Sequence, residues 1–522
     1  MYKEEITGTY KKKDGNPVIE TKFGDNPELY EVELEELFED MEGKGVRVKV
    51  EEVKWGKALY EDKGWNIFTD EVHPDYTYAS EKAREKFLDM KFGMMVHWGQ
   101  YSQLGIPESW PANRLRCDLE FLDVYYTLWQ VFNPTEFSGD EWAELAQRAG
   151  MQFFQLTTKH HDGFCMFDTK TKTLARMRTR TMTGGVGGVK DVFINYSIMD
   201  SPYKAYCDRM GKSADIIGEV VRGFRERGLG IGFYFSHIDW NDPNFRWDKA
   251  NRSFDPDYGP ETHPDEWKAF LEREKEQLKE IFTNYGPIDQ IFFDGSWFGI
   301  ENEKMLEIVL MCRKLQPDCM FSDRGLGPYG DFTSPERWIP KVGDERLRGR
   351  KVWQVCDPIH SSWAYLPDDP GYKSYDVLLH NFIDAISKGG TYVFAIAPDH
   401  RGKFPQKTVD TLEFMGDWLK KNGEAIYETR PWIKAQEEGK EIFFTRSKDE
   451  KLVYVILFGI QEGNIEIPGL KAVDGSKITV LGLGNEVKWS QDGDNLVISI
   501  PDGVKSKVKD EMAISLKVEW QK

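Results

Sequence analysis

The chain has 522 residues, of which 40% are hydrophobic and 30% are charged, so it has material for two or three folded domains. Its 69 basic and 88 acidic side chains give a formal net charge of −19, which argues against nucleic acid and anionic membranes as partners. The six cysteines include no CxxC pair and are too sparse for a disulfide-built scaffold.

The first 80 residues are polar and acidic. The N-terminus lacks the apolar stretch of a signal peptide, and no run of about 18 apolar residues occurs in the chain. We therefore expect a cytoplasmic protein, or a periplasmic or secreted one if a signal peptide has been removed. Residues 1–80 are interpreted as an N-terminal extension with a short helix followed by a strand, and no chemical motif in them indicates a role.

A repeating pattern of strands and helices begins at Lys91. Short apolar runs typical of buried parallel strands alternate with longer amphipathic segments that end at glycine. The apolar runs are "KFGMMVHWG", "QFFQLTTKHH", "GIGFYFSHIDW", "IDQIFFDGSW", "CMFSDRG", "KVWQVCD" and "TYVFAIAPD". About seven such repeats, without a glycine-rich phosphate turn after the first strand, favour a (β/α)8-like barrel over an open sheet. We assign residues 81–429 to this α/β domain.

Nearly every predicted strand is followed at its C-terminal end by polar side chains. These residues are His97, His160, His161, His237, Asp239, Asp294, Asp323, Arg324 and Asp357. In a barrel the C-terminal ends of the strands meet at one mouth, so we expect these side chains to share a pocket. For any one of them, the alternative is that the strand simply ends in a polar turn.

The pattern changes after the last predicted helix. From about Arg430 the chain reads as strands of period two separated by Lys-Asp-Glu and Asp-Gly-Asp turns. Residues 430–522 are therefore predicted to form an antiparallel β domain, most simply a β-sandwich.

Asp294 in "QIFFDGSW" is a candidate catalytic carboxylate. It follows three apolar residues at a predicted strand end and precedes a glycine that leaves room for a substrate. The alternative role is to cap the next turn. If Asp294 is a nucleophile, a retaining glycosidase requires a second carboxyl about 5–5.5 Å away. The candidates in later loops are Asp331, Glu336, Asp357 and Asp399.

The adjacent His160 and His161 in "LTTKHHDGF" require a separate explanation. Successive side chains of a regular strand point to opposite faces, so this pair cannot chelate one metal ion unless the strand bulges. A Ser-His-Asp relay is also disfavoured because the chain has no GxSxG motif. We interpret the two imidazoles as hydrogen-bonding groups at the mouth of the barrel, available to hydroxyl groups of a ligand.

Several segments, in this order, resemble the glycoside hydrolase family 29 α-L-fucosidases. They are "KFGMMVHWGQYS", "FNPTEFSGDEWAELAQRAGMQFFQLTTKHHDGFCMFDTK", "GLGIGFYFSHIDW", "IDQIFFDGSW" and "GDWLKKNGEAIYETRPW". The resemblance covers roughly residues 85–435 and, more loosely, the C-terminal β domain. It implies a (β/α)8-like barrel, a C-terminal β-sandwich and a retaining mechanism through a covalent fucosyl-enzyme ester, with no cofactor and no metal.

The resemblance also implies roles for individual residues. It assigns the nucleophile to Asp294, which the residue pattern also indicates. It places the acid/base at Glu336, 42 residues later, because some family members carry this glutamate in a "DF-T-x-E" context and this chain has "GDFTSPERWIP". The residues matched to the sugar-binding part of the pocket are His97, Glu108, Trp110, His160, His161, Tyr234 and Arg324.

Four positions depart from the family pattern. Many relatives have Glu-Trp after the first strand, whereas here Ser109 separates the two residues, and Phe292 stands where many have tryptophan. Further along, Trp353-Gln354 stands for a Trp-Glu pair, and "GGTYVFA" stands for "GGNLLLN". Because these positions line or adjoin the predicted pocket, they bear on the identity of the sugar more than on the fold.

We therefore expect a retaining exo-glycosidase that removes terminal α-L-fucosyl residues from oligosaccharides or glycoconjugates. One alternative is the same scaffold acting on a related sugar such as an α-L-galactoside. Another is a catalytically silent carbohydrate-binding protein. The expected partner is the fucosylated substrate, and the sequence leaves the oligomeric state open, with a homo-oligomer among the alternatives.

Overall fold

The structure is a computed structural model that divides the chain into two compact units, Met1–Tyr60 and Glu61–Lys522. The residues that it describes are 9–13, 16–21, 30–33, 72–113, 117–181, 186–248, 253–254, 258–259, 262–295, 303–347, 352–459 and 462–522.

The first unit contains a three-stranded antiparallel sheet. Its strands, in spatial order, are β1 (Thr9–Lys13), β2 (Asn16–Thr21) and β3 (Tyr30–Glu33). The strand β3 lies where we predicted the start of a short helix, so that prediction is wrong there. The alternating "YEVE" of β3 has the period of a strand, and this strand pairs with β2. The rest of the predicted helix and the strand after it lie outside the described residues.

The second unit contains the remaining strands and all helices of the described chain. In chain order the strands are β4 (Phe92–Val96), β5 (Phe153–Lys159), β6 (Thr173–Arg180), β7 (Val186–Ile194), β8 (Gly230–Ser236), β9 (Trp247–Asp248), β10 (Ser253–Phe254), β11 (Gln290–Asp294), β12 (Met320–Phe321), β13 (Gln354–Pro358), β14 (Thr391–Ile396), β15 (Thr429–Gln436), β16 (Ile442–Ser447), β17 (Leu452–Phe458), β18 (Asn464–Pro468), β19 (Ile478–Val480), β20 (Glu486–Asp492), β21 (Asn495–Ser499) and β22 (Ala513–Glu519). The α-helices are α1 (Glu81–Met90), α2 (Leu119–Tyr125), α3 (Gly139–Arg148), α4 (Pro202–Met210), α5 (Ile216–Glu226), α6 (Pro264–Asn284), α7 (Glu303–Leu315), α8 (Tyr375–Ser387), α9 (Gln406–Asn422) and α10 (Asp502–Val508).

Seven parallel strands form a curled sheet in the order β12-β11-β8-β5-β4-β14-β13. Each of the seven apolar runs noted in the sequence supplies one of these strands. Every residue of β4, β5, β8, β11 and β14 is buried, as expected for strands covered on both faces. The predicted (β/α)8-like barrel is confirmed.

The sheet closes through an irregular segment that the sequence pattern does not mark as a strand. Residues 332–336 lie between β12 and β13 and make isolated parallel bridges in both directions. Phe332 pairs with Ser322 on one side, while Thr333 and Glu336 pair with Trp353 and Cys356 on the other. This segment therefore takes the position of the missing strand in the barrel.

The helices follow from local sequence signals. The Ser138 hydroxyl caps α3 by accepting from the Glu141 N–H, and Asp215 caps α5 in the same way. Gly150, Gly228 and Gly286 follow α3, α5 and α6 with positive φ, which allows the chain to leave each helix as predicted. A hairpin of β6 and β7 is inserted between β5 and α4.

The C-terminal strands form an antiparallel eight-stranded sheet in the order β15-β16-β17-β22-β19-β20-β21-β18. It folds around its own hydrophobic core, which includes Phe444, Val455, Ile467, Leu496 and Leu516. The predicted antiparallel β domain is confirmed, and it packs on α8 and α9 of the barrel; for example, the Trp418 indole N–H donates to the Ala513 carbonyl at 2.9 Å. Within the described residues, every helix is too short or too polar to cross a lipid bilayer.

Candidate active site

The residues singled out at the strand ends meet at the C-terminal mouth of the barrel. Asp294 is the last residue of β11, Tyr234 lies on the neighbouring β8, and His97 directly follows β4. His160 and His161 directly follow β5. The topology therefore brings together, from four strands, side chains that are far apart in the sequence.

The Asp294 carboxylate lies at the centre of this group. Its Oδ1 accepts from the backbone N–H of Gly295 at 2.9 Å and from Nε and Nη2 of Arg324 at 3.3 and 3.0 Å. Its Oδ2 accepts from the Tyr234 hydroxyl at 2.7 Å. Gly295 has φ +92°, and a Cβ there would lie 2.7 Å from Ile238, so this position requires glycine. The carboxylate is fixed on both oxygens.

The surroundings of Asp294 favour its ionised form. Burial alone would raise its pKa, but the Arg324 charge and the hydrogen bonds from Tyr234 and Arg324 outweigh burial and lower the pKa below its usual value. Burial and the Asp294 charge raise the pKa of Tyr234 well above its usual value, so its hydroxyl stays a proton donor in this hydrogen bond. The result is a buried, oriented carboxylate that is charged at neutral pH.

Arg324 connects Asp294 with a second carboxylate. While Nη2 contacts Asp294, Nη1 of the same guanidinium donates to Oε2 of Glu336 at 2.9 Å. Glu336 lies on the irregular segment 332–336, and its side chain is 20% exposed against 10% for Asp294. One guanidinium thus holds both carboxylates, with Glu336 nearer to solvent.

A bulge explains how two adjacent histidines reach one pocket. The pairing of β5 with β8 shifts register between Thr157 and Lys159, which breaks the strict alternation of side chains just before His160. The rings of His160 and His161 lie with centroids 4.2 Å apart. The bulge that our geometric argument required is present, and the two imidazoles converge.

Each histidine is oriented by a serine. Nδ1 of His160 lies 2.6 Å from Oγ of Ser109, and Nδ1 of His161 lies 2.6 Å from Oγ of Ser236. Nε2 of His161 lies 4.0 Å from Oδ2 of Asp294. Burial lowers the pKa of both histidines well below the usual value, so they are neutral at neutral pH. Neutral imidazoles suit hydrogen bonding to sugar hydroxyls.

His97 completes the histidine cluster. Its ring contacts those of His160, Tyr234 and Trp363, with centroids 5.3–5.5 Å apart. Burial also lowers its pKa well below the usual value. Within the described part of the chain its buried Nδ1 has no hydrogen-bond partner, which leaves a polar atom of the pocket available to a ligand.

The loop after β4 separates the roles of Glu108, Ser109 and Trp110. Trp110 packs against the ring of His161 at 5.2 Å, and Ser109 contacts His160. Glu108 instead turns towards another loop, where its Oε1 accepts from the Ser362 hydroxyl and from the N–H groups of Trp363 and Ala364 at 2.8–3.2 Å. Burial raises the pKa of Glu108 to about 7. These three contacts make Glu108 a support for this loop.

Asp162 anchors the turn that follows the histidine pair. Its carboxylate accepts from the Tyr125 hydroxyl at 2.7 Å, from Nε2 of Gln100 at 3.1 Å and from the Phe164 N–H at 3.2 Å. Burial raises its pKa to about 6. The third residue of "HHD" is thus a structural acceptor behind the pocket.

The other strand-end residues have partners away from the Asp294 carboxylate. His237 pairs with Glu274 at 2.6 Å, and Asp239 pairs with Arg273 at 2.9 Å, both in the buried layer behind the mouth. Asp323 accepts from the Thr333 hydroxyl. These contacts hold the three residues in structural roles, as the polar-turn alternative describes.

The remaining candidates for the second carboxyl are also engaged elsewhere. Asp331 accepts from Arg313 and from two backbone N–H groups. Asp357 binds Lys373 and the Tyr392 hydroxyl, and Asp399 binds Arg401. Of the four candidates, only Glu336 shares the Arg324 guanidinium with Asp294. In the residues that the structure describes, no group of three His, Cys, Asp or Glu side chains has the arrangement to hold a metal ion.

The sequence reading missed three site residues. Ser236 orients His161, Trp240 packs against both His161 and Trp110 at about 5.2–5.3 Å, and Trp363 contacts His97. Ser236 is the last residue of β8 and Trp240 follows four residues later, so the strand-end rule could have indicated them. Trp363 lies in a loop after β13 with no local signal.

Comparison with known proteins finds two family models and several mammalian enzymes that match this chain. The family model described as "Alpha-L-fucosidase" matches residues 69–424, and the model described as "Alpha-L-fucosidase C-terminal domain" matches residues 436–519. The mouse tissue α-L-fucosidase is 24% identical over 475 residues, which cover 85% of this chain and 94% of the mouse protein. The human tissue enzyme is 25% identical, with 85% and 91% covered.

Two solved structures show the same fold. The α-L-fucosidase isoenzyme 1 from Paenibacillus thiaminolyticus superimposes with a TM-score of 0.69 at 27% identity, covering 85% of this chain and 99% of that one. An α-L-fucosidase from Bacteroides thetaiotaomicron, solved as a trapped covalent intermediate, gives a TM-score of 0.68 at 23% identity, with 86% and 98% covered.

Proposed function

The chain belongs to the α-L-fucosidase family, and on this premise we propose that it hydrolyses terminal α-L-fucosyl residues with Asp294 as nucleophile and Glu336 as acid/base. The observation that carries the residue assignment is the Arg324 guanidinium, which contacts both carboxylates at 2.9–3.3 Å. A retaining glycosidase needs two carboxyls about 5–5.5 Å apart, and one guanidinium between them supports such a spacing.

In the first step, Asp294 attacks the anomeric carbon while Glu336 protonates the departing glycosidic oxygen. Oδ1 of Asp294 is held by three N–H contacts, whereas the short contact given for Oδ2 among the described residues is the Tyr234 hydroxyl, so Oδ2 is proposed as the attacking oxygen. The anomeric C–O bond to the leaving group breaks, and an ester bond to Asp294 forms. The sugar is then attached to the enzyme with inverted configuration.

In the second step, water hydrolyses the ester. Glu336, now a carboxylate, accepts a proton from a water molecule that attacks the anomeric carbon, and Asp294 leaves as a carboxylate. The greater exposure of Glu336 supports this assignment, because the acid/base must meet both the leaving group and incoming water. Two inversions give net retention, so the first product is α-L-fucose.

The histidine cluster is proposed to hold the hydroxyls of the sugar. His97, His160 and His161 are buried and neutral, so each ring has one N–H donor and one acceptor nitrogen. Because Nδ1 of His160 and of His161 contacts a serine, Nε2 is the atom that these two rings are proposed to direct at the sugar. Trp110 and Trp240 flank His161 with apolar surface. For Glu108, predicted to bind sugar, the contacts support a role in holding the loop of Trp363 instead.

The test compares 4-nitrophenyl α-L-fucoside with the matching α-L-galactoside and follows the first product by proton NMR. We expect preferential turnover of the fucoside and initial release of the α-anomer. Initial release of the β-anomer, or turnover of the galactoside alone, contradicts the proposal. Binding of fucose in calorimetry without turnover of any fucoside identifies a silent binding protein.

A further inference from the structure

Seven residues around the proposed active site form a closed ring of contacts. Beginning at the nucleophile, the ring runs from Asp294 to Arg324 (3.0 Å), Glu336 (2.9 Å), its chain neighbour Arg337, Trp363 (5.1 Å), His97 (5.3 Å), Tyr234 (5.3 Å) and back to Asp294 (2.7 Å). The proposed nucleophile and the proposed acid/base are both members of this ring, joined through Arg324.

The position of Glu336 identifies the leaving-group side of this ring. The acid must face the glycosidic oxygen, so the residues beside Glu336 border the group that departs. Those residues are Arg337, which follows Glu336 in the chain, and Trp363, which carries the Arg337 guanidinium over its ring. This step rests on the proposed function of Glu336.

Arg337 is exposed and forms no ion pair among the described residues, although its charge partly offsets the effect of burial on the pKa of Glu108. Its backbone N–H donates to the Cys356 carbonyl at 3.0 Å, but the contact found for its guanidinium is the face of Trp363. Arg346 provides a contrast, because it lies over Trp338 at 3.8 Å and is also paired with Asp344 at 2.7 Å. Because the contact found for the Arg337 guanidinium within the described residues is the Trp363 ring, its N–H donors are available to a ligand.

Two strained residues support the placement of Trp363. Arg337 has φ +61° and Glu108 has φ +35°, values that side-chain-bearing residues rarely adopt. Glu108 accepts from the Trp363 N–H, and Arg337 packs on the Trp363 ring. The two residues with positive φ thus both contact one half-buried tryptophan, and one of them directly follows the acid/base in the chain.

We propose that Arg337 and Trp363 form a leaving-group subsite for an α-L-fucoside whose aglycone carries an acidic substituent. The indole face limits the motion of the guanidinium, whose N–H groups then donate to a carboxylate or a sulfate. Planar, bidentate recognition by arginine suits both anions. The preferred substrate class is therefore a fucosylated acidic glycan.

The experiment measures kcat/KM for three aryl α-L-fucosides that carry carboxylate, sulfonate or neutral carboxamide at the meta position. We expect the wild-type enzyme to favour at least one anionic substrate over the carboxamide by about 3- to 10-fold, a preference that falls as salt is added. Arg337→Gln is expected to reduce the ratio to about one, and Trp363→Leu to reduce it in part. The anion with the larger ratio distinguishes a carboxylate-bearing from a sulfated aglycone.

Arg346→Gln is the matched control, since it removes an exposed arginine that also lies on a tryptophan but outside the ring. It should leave the anion-to-carboxamide ratio unchanged. The use of a ratio cancels any effect of a substitution on the chemical step that the substrates share.

A wild-type enzyme without preference for either anion overturns the inference, and so does a preference that survives Arg337→Gln. These failures are separable from failure of the proposed function. If the neutral carboxamide substrate is hydrolysed without anion preference, only the subsite is wrong. If no aryl fucoside is hydrolysed, the proposed function itself fails.

Discussion

The hydroxyl of Tyr234 donates a 2.7 Å hydrogen bond to Oδ2 of Asp294, the oxygen assigned to nucleophilic attack. The two residues lie on the adjacent parallel strands β8 and β11, in which Tyr234 pairs with Phe292 and Ser236 pairs with Asp294. Tyr234 also stacks on Phe292, which fixes its ring. The proposed nucleophile is therefore oriented by a side chain of the barrel wall.

Removal of the Tyr234 hydroxyl should slow catalysis without unfolding the protein. We expect Tyr234→Phe to lower kcat/KM for an aryl α-L-fucoside by about 10- to 100-fold, because Oδ2 loses an orienting donor. Tyr392→Phe is the matched control, since Tyr392 is also buried and donates to an aspartate, Asp357, that lies outside the proposed site. Equal losses in both variants contradict a specific role for Tyr234.

Azide should separate the roles of the two carboxylates by product configuration. In Asp294→Ala, azide attacks the substrate directly from the vacated side and gives β-L-fucosyl azide. In Glu336→Ala, azide attacks the covalent ester and gives α-L-fucosyl azide, most clearly with a good leaving group such as 2,4-dinitrophenol. Both variants should otherwise lose about 10³-fold or more in rate with poor leaving groups. Failure of azide to react with Glu336→Ala points to another acid.

Loss of the Arg324 charge should change the pH dependence of activity. Arg324 opposes the effect of burial on Asp294, so in Arg324→Gln the pKa of that carboxyl rises. The acidic limb of the kcat/KM profile reports protonation of the nucleophile and should move to higher pH. A pH profile of unchanged shape, with only a lower maximum, indicates that Arg324 acts in another way.

Deprotonation of Glu108 should lower the free energy of unfolding as the pH rises. Its pKa is raised from 4.5 to about 7 in the folded state, so the folded protein binds more protons than the unfolded chain between these values, and stability falls with pH across this window. Glutamine retains an acceptor oxygen without the charge. Glu108→Gln should therefore gain stability relative to wild type between pH 5 and pH 8, on the order of 3 kcal/mol at most.

Thermal unfolding at several pH values measures this difference. Asp140→Asn is the control, because hydrogen bonds from Arg222 lower the pKa of Asp140 in the fold and the residue is ionised in both states throughout this range. The difference between Asp140→Asn and wild type should therefore stay constant. Parallel stability curves for Glu108→Gln and wild type exclude titration of Glu108 in this window.

Much of the architecture could be predicted from the sequence because strands and helices have local hydrophobic patterns. All seven apolar runs became strands of one parallel sheet, and three amphipathic segments became α3, α5 and α6, each followed by a glycine of positive φ. Asp294 could be singled out because a polar residue after a buried strand is conspicuous, and barrel topology predicts where it points.

The tertiary structure alone decided which side chains meet. The register shift in β5 turns His160 and His161 into one pocket. Glu336 reaches Arg324 because segment 332–336 lies between β12 and β13, although it does not have the sequence pattern of a strand. Glu108 turns towards the loop of Trp363, more than 250 positions away in the chain. Hydrophobic periodicity is a local property of the chain, whereas the direction of a polar side chain at a strand end is set by partners that only folding brings near.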